Sequence, residues 1–115
     1  MNKIIEKPWG HEEIIVCTDK YLMKKIYIKA GHRLSKQFHV QKDETVYVAK
    51  GLLLLDFSDR EGESNILKLS EGQSWRIRPK TIHRFTAPEA EGVELFEVST
   101  PELNDVIRLQ DDYGR

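Results

Sequence analysis

Gln37 and His39 stand two residues apart in an extended stretch, so on a strand their side chains leave the same face. Glu44 follows after a short interval, and counting on by twos from it reaches Val46 and Val48, apolar residues with reason to face inward. An ionised carboxylate among them costs on the order of several kcal/mol unless it is paired or bound to a cation. His83 lies far along the chain, just past Trp75 and Ile77, where an antiparallel barrel can lay a second strand against the first. An amide oxygen, two imidazole nitrogens and one carboxylate then converge. Such a borderline set suits one divalent ion of Zn, Mn, Fe, Co or Ni better than Ca, which takes more oxygens.

The elements that must position these groups are short strands. Glycines at 31, 51, 72 and 92 recur about every twenty residues beside polar clusters, which predicts a meander of hairpins. Ile26 and Ile28 alternate with Lys25, Tyr27 and Lys29, and Val46 and Val48 alternate with Thr45 and Tyr47. Trp75 and Ile77 alternate with Ser74 and Arg76, and Phe96 and Val98 with Leu95 and Glu97, which predicts two more strands, each with a polar side. The polar stretch 58–65 predicts a long hairpin loop. Residues 101–109 could form at most one short helix, with Thr100 as cap before Pro101. Many short strands predict an all-β sandwich or barrel.

With 115 residues the chain suits one domain, 1–115. Eighteen Lys and Arg balance nineteen Asp and Glu, and neither sign forms a block, so neither nucleic acid nor a membrane is expected as a partner. A lone cysteine, Cys17, excludes an internal disulfide. Pro8, Trp9 and Gly10 interrupt the N-terminal stretch before any signal-like apolar run, and the run 52–55 is too short to span a bilayer, so a cytoplasmic protein is expected.

Gly31, Gln37, His39, Glu44 and Gly51, followed by Gly72 and His83, have the spacing of the two cupin motifs. The chain resembles the cupins, and within them the mannose-6-phosphate isomerase domain at the C-terminal end of bifunctional mannose-1-phosphate guanylyltransferases. The resemblance is carried by Lys7-Pro8-Trp9-Gly10, by Leu34-Ser35-Lys36-Gln37-Phe38-His39 with Glu44, by Thr81-Ile82-His83-Arg84, and by Asp105-Val106-Ile107-Arg108 through Asp111-Asp112-Tyr113-Gly114-Arg115. Gln37 in place of a first histidine is similar to the isomerase branch. Arg78 and Lys80 replace the usual proline and glycine of the second motif, Ala87 its usual asparagine, and Lys42 the arginine usual in this branch.

The resemblance implies a double-stranded β-helix, or jelly-roll barrel, with the metal on Gln37, His39, Glu44 and His83. It implies interconversion of mannose 6-phosphate and fructose 6-phosphate by a homodimer. Arg84, Arg108 and Arg115 are the arginines it offers to the phosphate, Arg84 first, since a guanidinium grips phosphate through two hydrogen bonds. For the proton-transfer base Lys25, Lys36, Tyr113 and a metal-bound hydroxide all stay open. The alternatives are a cupin acting on another small sugar or acid, as isomerase, epimerase or dioxygenase, and a non-catalytic sugar-binding module. The nucleotidyltransferase region that precedes the domain in such enzymes is not among these 115 residues, so nucleotide-sugar synthesis is not expected of them. The polar segment 111–115 has no apolar period, and the core is expected not to need it.

Overall fold

Period-two alternation dominates the chain, and it is read out as strands throughout. The computed structural model describes residues 2–114, and among them there are eleven strands and no helix. They are β1 (Lys3–Lys7), β2 (Gly10–Cys17), β3 (Leu22–Ile28), β4 (Lys36–Phe38), β5 (Glu44–Lys50), β6 (Leu53–Ser58), β7 (Asn65–Leu69), β8 (Ser74–Ile77), β9 (Ile82–Thr86), β10 (Val93–Ser99) and β11 (Ile107–Gln110). A six-stranded sheet runs β1-β2-β3-β10-β5-β8, and a five-stranded sheet runs β11-β4-β9-β6-β7. All pairs are antiparallel. The inner faces meet in one core, with Ile26, Val46, Val48 and Leu95 from one sheet against Leu53, Leu55, Leu69 and Phe85 from the other. Strand alternation thus gives the expected all-β barrel. Among the described residues no helix is long and apolar enough to cross a membrane.

The Lys7-Pro8-Trp9-Gly10 segment is the turn between β1 and β2. Gly10 has φ +153° and passes so close to the Tyr27 carbonyl that a Cβ would overlap its oxygen. The carbonyl of Trp9 accepts from Lys29 N, and the indole is sealed inside the barrel.

Three local readings change. In β10 the buried set is Val93, Leu95, Glu97 and Ser99, whereas Val98 is exposed, so the inward phase is opposite to the one the Phe96 and Val98 alternation implied. The β3–β10–β5 ladder decides it. Leu95 stands opposite Ile26 and Val48, and Glu97 opposite Lys24 and Val46. Residues 101–106 are loop, and 107–110 pair with β4 as a strand, so no helix forms there. Thr100 Oγ1 instead accepts from Asp43 N and donates to Glu102.

The third change is at the C-terminus, which is fastened down. Arg33 donates to both oxygens of Asp112 at 2.6 and 2.9 Å, and Tyr113 packs against the core. Segment 111–114 is therefore docked on the barrel, which its polar, aperiodic sequence does not announce.

Candidate metal centre

Each candidate ligand sits where a ladder aims it inward. Gln37 stands opposite His83 in the β4–β9 pair and opposite Arg108 in the β4–β11 pair; directly opposed residues point the same way, so the three share a face. His39 lies one residue past β4, and Glu44 opens β5 opposite Ile77 and Ser99, both buried. His39, Glu44 and His83 are all buried, with one donor atom of each within 4.8 Å of the others. Gln37, His39 and Glu44 line one cavity. Gln37 Oε1 accepts from the Ser35 hydroxyl at 2.6 Å, which uses one of its two lone pairs.

The imidazole tautomers are fixed by the backbone. His39 Nδ1 faces the carbonyl of Asp105, and His83 Nδ1 faces the carbonyl of Thr81 at 2.9 Å. A carbonyl only accepts, so each Nδ1 carries the hydrogen and each Nε2 keeps a lone pair for the interior. His39 Nε2 is 3.7 Å and His83 Nε2 3.4 Å from the Glu44 carboxylate. Neither His83 Nε2 nor Glu44 Oε2 has a hydrogen-bond partner among the described residues, although both atoms are buried. Two ligands about 2.1 Å from a shared tetrahedral ion would stand about 3.4 Å apart, so the donors fit a divalent metal.

Electrostatics agree with that fit. Without a cation, burial and then the charge of Glu97 push the Glu44 carboxyl up to about 8. Burial pushes His83 down to about 4 and also lowers His39, which keeps both rings neutral and able to ligate.

A chain of buried charges runs on from Glu44. Lys42 Nζ is 2.7 Å from Glu97 and 3.5 Å from Glu44, and Lys24 Nζ is 3.5 Å from Glu12. Burial opposes the charge of Lys42, but the Glu97 and Glu44 carboxylates outweigh it and hold Lys42 above the usual lysine range. Burial likewise opposes ionisation of Glu97, which Lys42 and Lys24 nevertheless keep below its ordinary value. Glu12, Lys24, Lys42, Glu44 and Glu97 all line the cavity, as do Lys7 and Arg108 at more exposed positions. Sequence reasoning missed Lys24 and Glu97 as site residues. Lys24 keeps phase with Leu22, Ile26 and Ile28, and Glu97 with Val93 and Leu95, the same signal that marks Glu44.

The remaining candidates separate. Arg108 lines the metal cavity. Arg84 does not: it follows inward-facing His83 on β9, so the pleat turns it to the other side of the sheet, where it shares a groove with Arg33, Lys36 and Asp56. There its Nε donates to the Leu34 carbonyl at 2.9 Å and its guanidinium to the Gln110 carbonyl at 3.1 Å. Lys36 lines that outer groove and Lys25 pairs with Glu94 at the surface, so neither faces the cavity, whereas Tyr113 is half-buried against the core. Arg115 lies outside the described residues. His32 is half-buried with its Nδ1 against the Ala30 carbonyl, and His11 stacks on Tyr27; neither lines the cavity.

Comparison with known proteins follows the same line. The family described as the mannose-6-phosphate isomerase C-terminal domain matches residues 1–111. A mannose-1-phosphate guanylyltransferase of Salmonella muenchen is 31% identical over 94% of the chain, and the alginate biosynthesis protein AlgA of Pseudomonas aeruginosa is 30% identical over 96%. The chain spans only 22% and 23% of those two relatives. Among solved structures, capsular polysaccharide assembling protein CapF from Staphylococcus aureus superposes with a TM-score of 0.84 at 15% identity, over 96% of this chain and 34% of that one. Oxalate decarboxylase from Bacillus subtilis gives 0.82 at 20% identity, over 94% and 30%. These two likenesses establish the fold.

Proposed function

Because the chain belongs to the mannose-6-phosphate isomerase C-terminal family, cupin barrels of sugar metabolism, we propose that it is a metal-dependent isomerase interconverting mannose 6-phosphate and fructose 6-phosphate. The observation that carries this reading is the meeting of buried His39, Glu44 and His83 at a cavity that Lys7 and Arg108 also line. These three residues, with Gln37 beside them, would hold the ion. A divalent ion bound there supplies a Lewis acid for the sugar carbonyl and for the negative charge that builds up as a proton leaves the neighbouring carbon.

The chain's own residues do the rest. Arg108 and Lys7 offer charge to the phosphate, and Arg108 stands on the face it shares with Gln37 and His83. Leu34, Phe85, Leu103 and Val106 line the cavity with apolar surface that excludes water from the reacting carbons. Glu97 and Lys24 are among the buried titratable groups that line the cavity, and they join Tyr113 as candidates to move the proton in place of Lys25 and Lys36.

The test supplies metal-loaded protein with mannose 6-phosphate, and separately with free mannose. The reading expects conversion of the phosphosugar at a rate well above that of the free sugar, because binding energy from the remote phosphate orients the reacting carbons. Equal rates would remove the phosphate from the reading. Conversion of neither, with turnover of a small acid instead, would replace it.

A further inference from the structure

Asp105 is not among the residues that line the cavity, yet it holds the turn that follows His39. Its Oδ1 accepts from Val40 N at 3.0 Å, and its Oδ2 accepts from Gln41 N at 2.7 Å and Lys42 N at 2.9 Å. Its own carbonyl receives the Nδ1 hydrogen of His39. One residue therefore holds three successive amides of a turn and fixes the ring that begins it. Three converging backbone N–H groups make a concave anion site that a carboxylate fills, and they hold the Asp105 carboxyl below its ordinary value.

The turn carries two inward-pointing groups. His39 at its start aims Nε2 at Glu44, and Lys42 at its end reaches Glu44 and Glu97. No regular ladder secures it, since β4 ends at Phe38 and β5 begins at Glu44. We propose that Asp105 is a positioning residue for the metal centre, a clamp whose carboxylate sets the 40–42 turn while its carbonyl selects the His39 tautomer that can ligate. The proposal rests on the metal reading above. A partner holding the outer nitrogen of a ligating imidazole typically changes metal affinity by about 10- to 100-fold.

The test compares wild type with Asp105→Asn and Asp112→Asn. At 105 the amide puts an NH2 group against backbone N–H donors. At 112 it weakens a surface clamp to Arg33 without touching the 39–42 turn. Cobalt affinity is measured by competition against a chromophoric chelator at a temperature where all three proteins are folded. Amide exchange at 40–42 and the His39 tautomer are read by nitrogen NMR on metal-free protein.

The proposal expects Asp105→Asn to bind cobalt about tenfold or more weakly, to lose protection at 40–42 and to populate both His39 tautomers. Asp112→Asn should keep wild-type affinity and tautomer. Wild-type cobalt affinity in Asp105→Asn overturns the proposal, as does an equal loss in Asp112→Asn, which would mark a general effect of stability. Wild-type protein that takes up no cobalt overturns the metal reading and the proposal together.

Discussion

His83 Nε2 and Glu44 Oε1 face each other across 3.4 Å with no hydrogen on either when both are in the state that ligates, so each leaves a buried lone pair turned toward the other. Only a proton or a cation relieves that arrangement. His39→Ala and His83→Ala are therefore expected to abolish stoichiometric metal binding while the barrel still folds, because the core is built from separate residues. Elemental analysis of the purified variants, with circular dichroism on the same samples, checks this.

The two arginines should behave oppositely. Arg108→Ala is expected to lower kcat/KM for the phosphosugar by roughly tenfold or more, the loss of a charge-assisted contact of about 1.5–3 kcal/mol, with little change in unfolding midpoint. Arg84→Ala removes the donors to the Leu34 and Gln110 carbonyls and should cost about 1–3 kcal/mol of stability. Denaturation curves beside kinetics on both proteins separate the roles.

Lys80 occupies a left-handed conformation, φ 69°, which a side chain disfavours, and it stands at a position the related motif gives to glycine. Its N–H donates to the His39 carbonyl at 2.6 Å, so the turn is held in place despite that cost. Lys80→Gly keeps the bond and relieves the conformation. Relief of about 1–2 kcal/mol for a left-handed side chain, less about 0.5–1 kcal/mol for the added freedom of glycine in the unfolded chain, predicts a net stabilisation of up to about 1 kcal/mol, read as a higher urea midpoint at an unchanged slope.

The Arg33–Asp112 clamp predicts both a truncation effect and a pH effect. Removing 111–115 should lower the melting temperature, since Asp112 and Tyr113 go with it. The hydrogen bonds from Arg33 hold the Asp112 carboxyl below its ordinary 3.8. A lowered carboxyl pKa gives stability that is present above 3.8 and lost as pH falls through the folded-state value. Melting temperatures measured down through this range should therefore fall more steeply for wild type than for Asp112→Asn.

Much of this was legible in the sequence, and the failures share a cause. Glu44 announced itself by keeping step with Val46 and Val48, and the strands of the barrel by the same period. Arg84 misled because adjacency to His83 in sequence means opposition across a pleat: the neighbour of an inward residue faces out. Arg108 owes its place to a register with Gln37, a pairing between segments some seventy residues apart that no local pattern encodes. The phase of β10 was hidden because Val93, Leu95, Phe96 and Val98 put apolar residues on both faces, and the deciding partners lie on β3 and β5. The anchoring of 111–114 was invisible for the same reason: its partner, Arg33, is distant in sequence.

The most direct measurement strips the protein with chelator, then follows mannose 6-phosphate to fructose 6-phosphate as a divalent metal is added back in fractions of one equivalent. Conversion should be absent at the start, rise in proportion to the metal and level off at about one ion per chain, with Glu44→Gln showing no such rise. Turnover by the stripped protein at the loaded rate, or a response to metal undiminished in Glu44→Gln, would contradict a metal-dependent isomerase built on His39, Glu44 and His83.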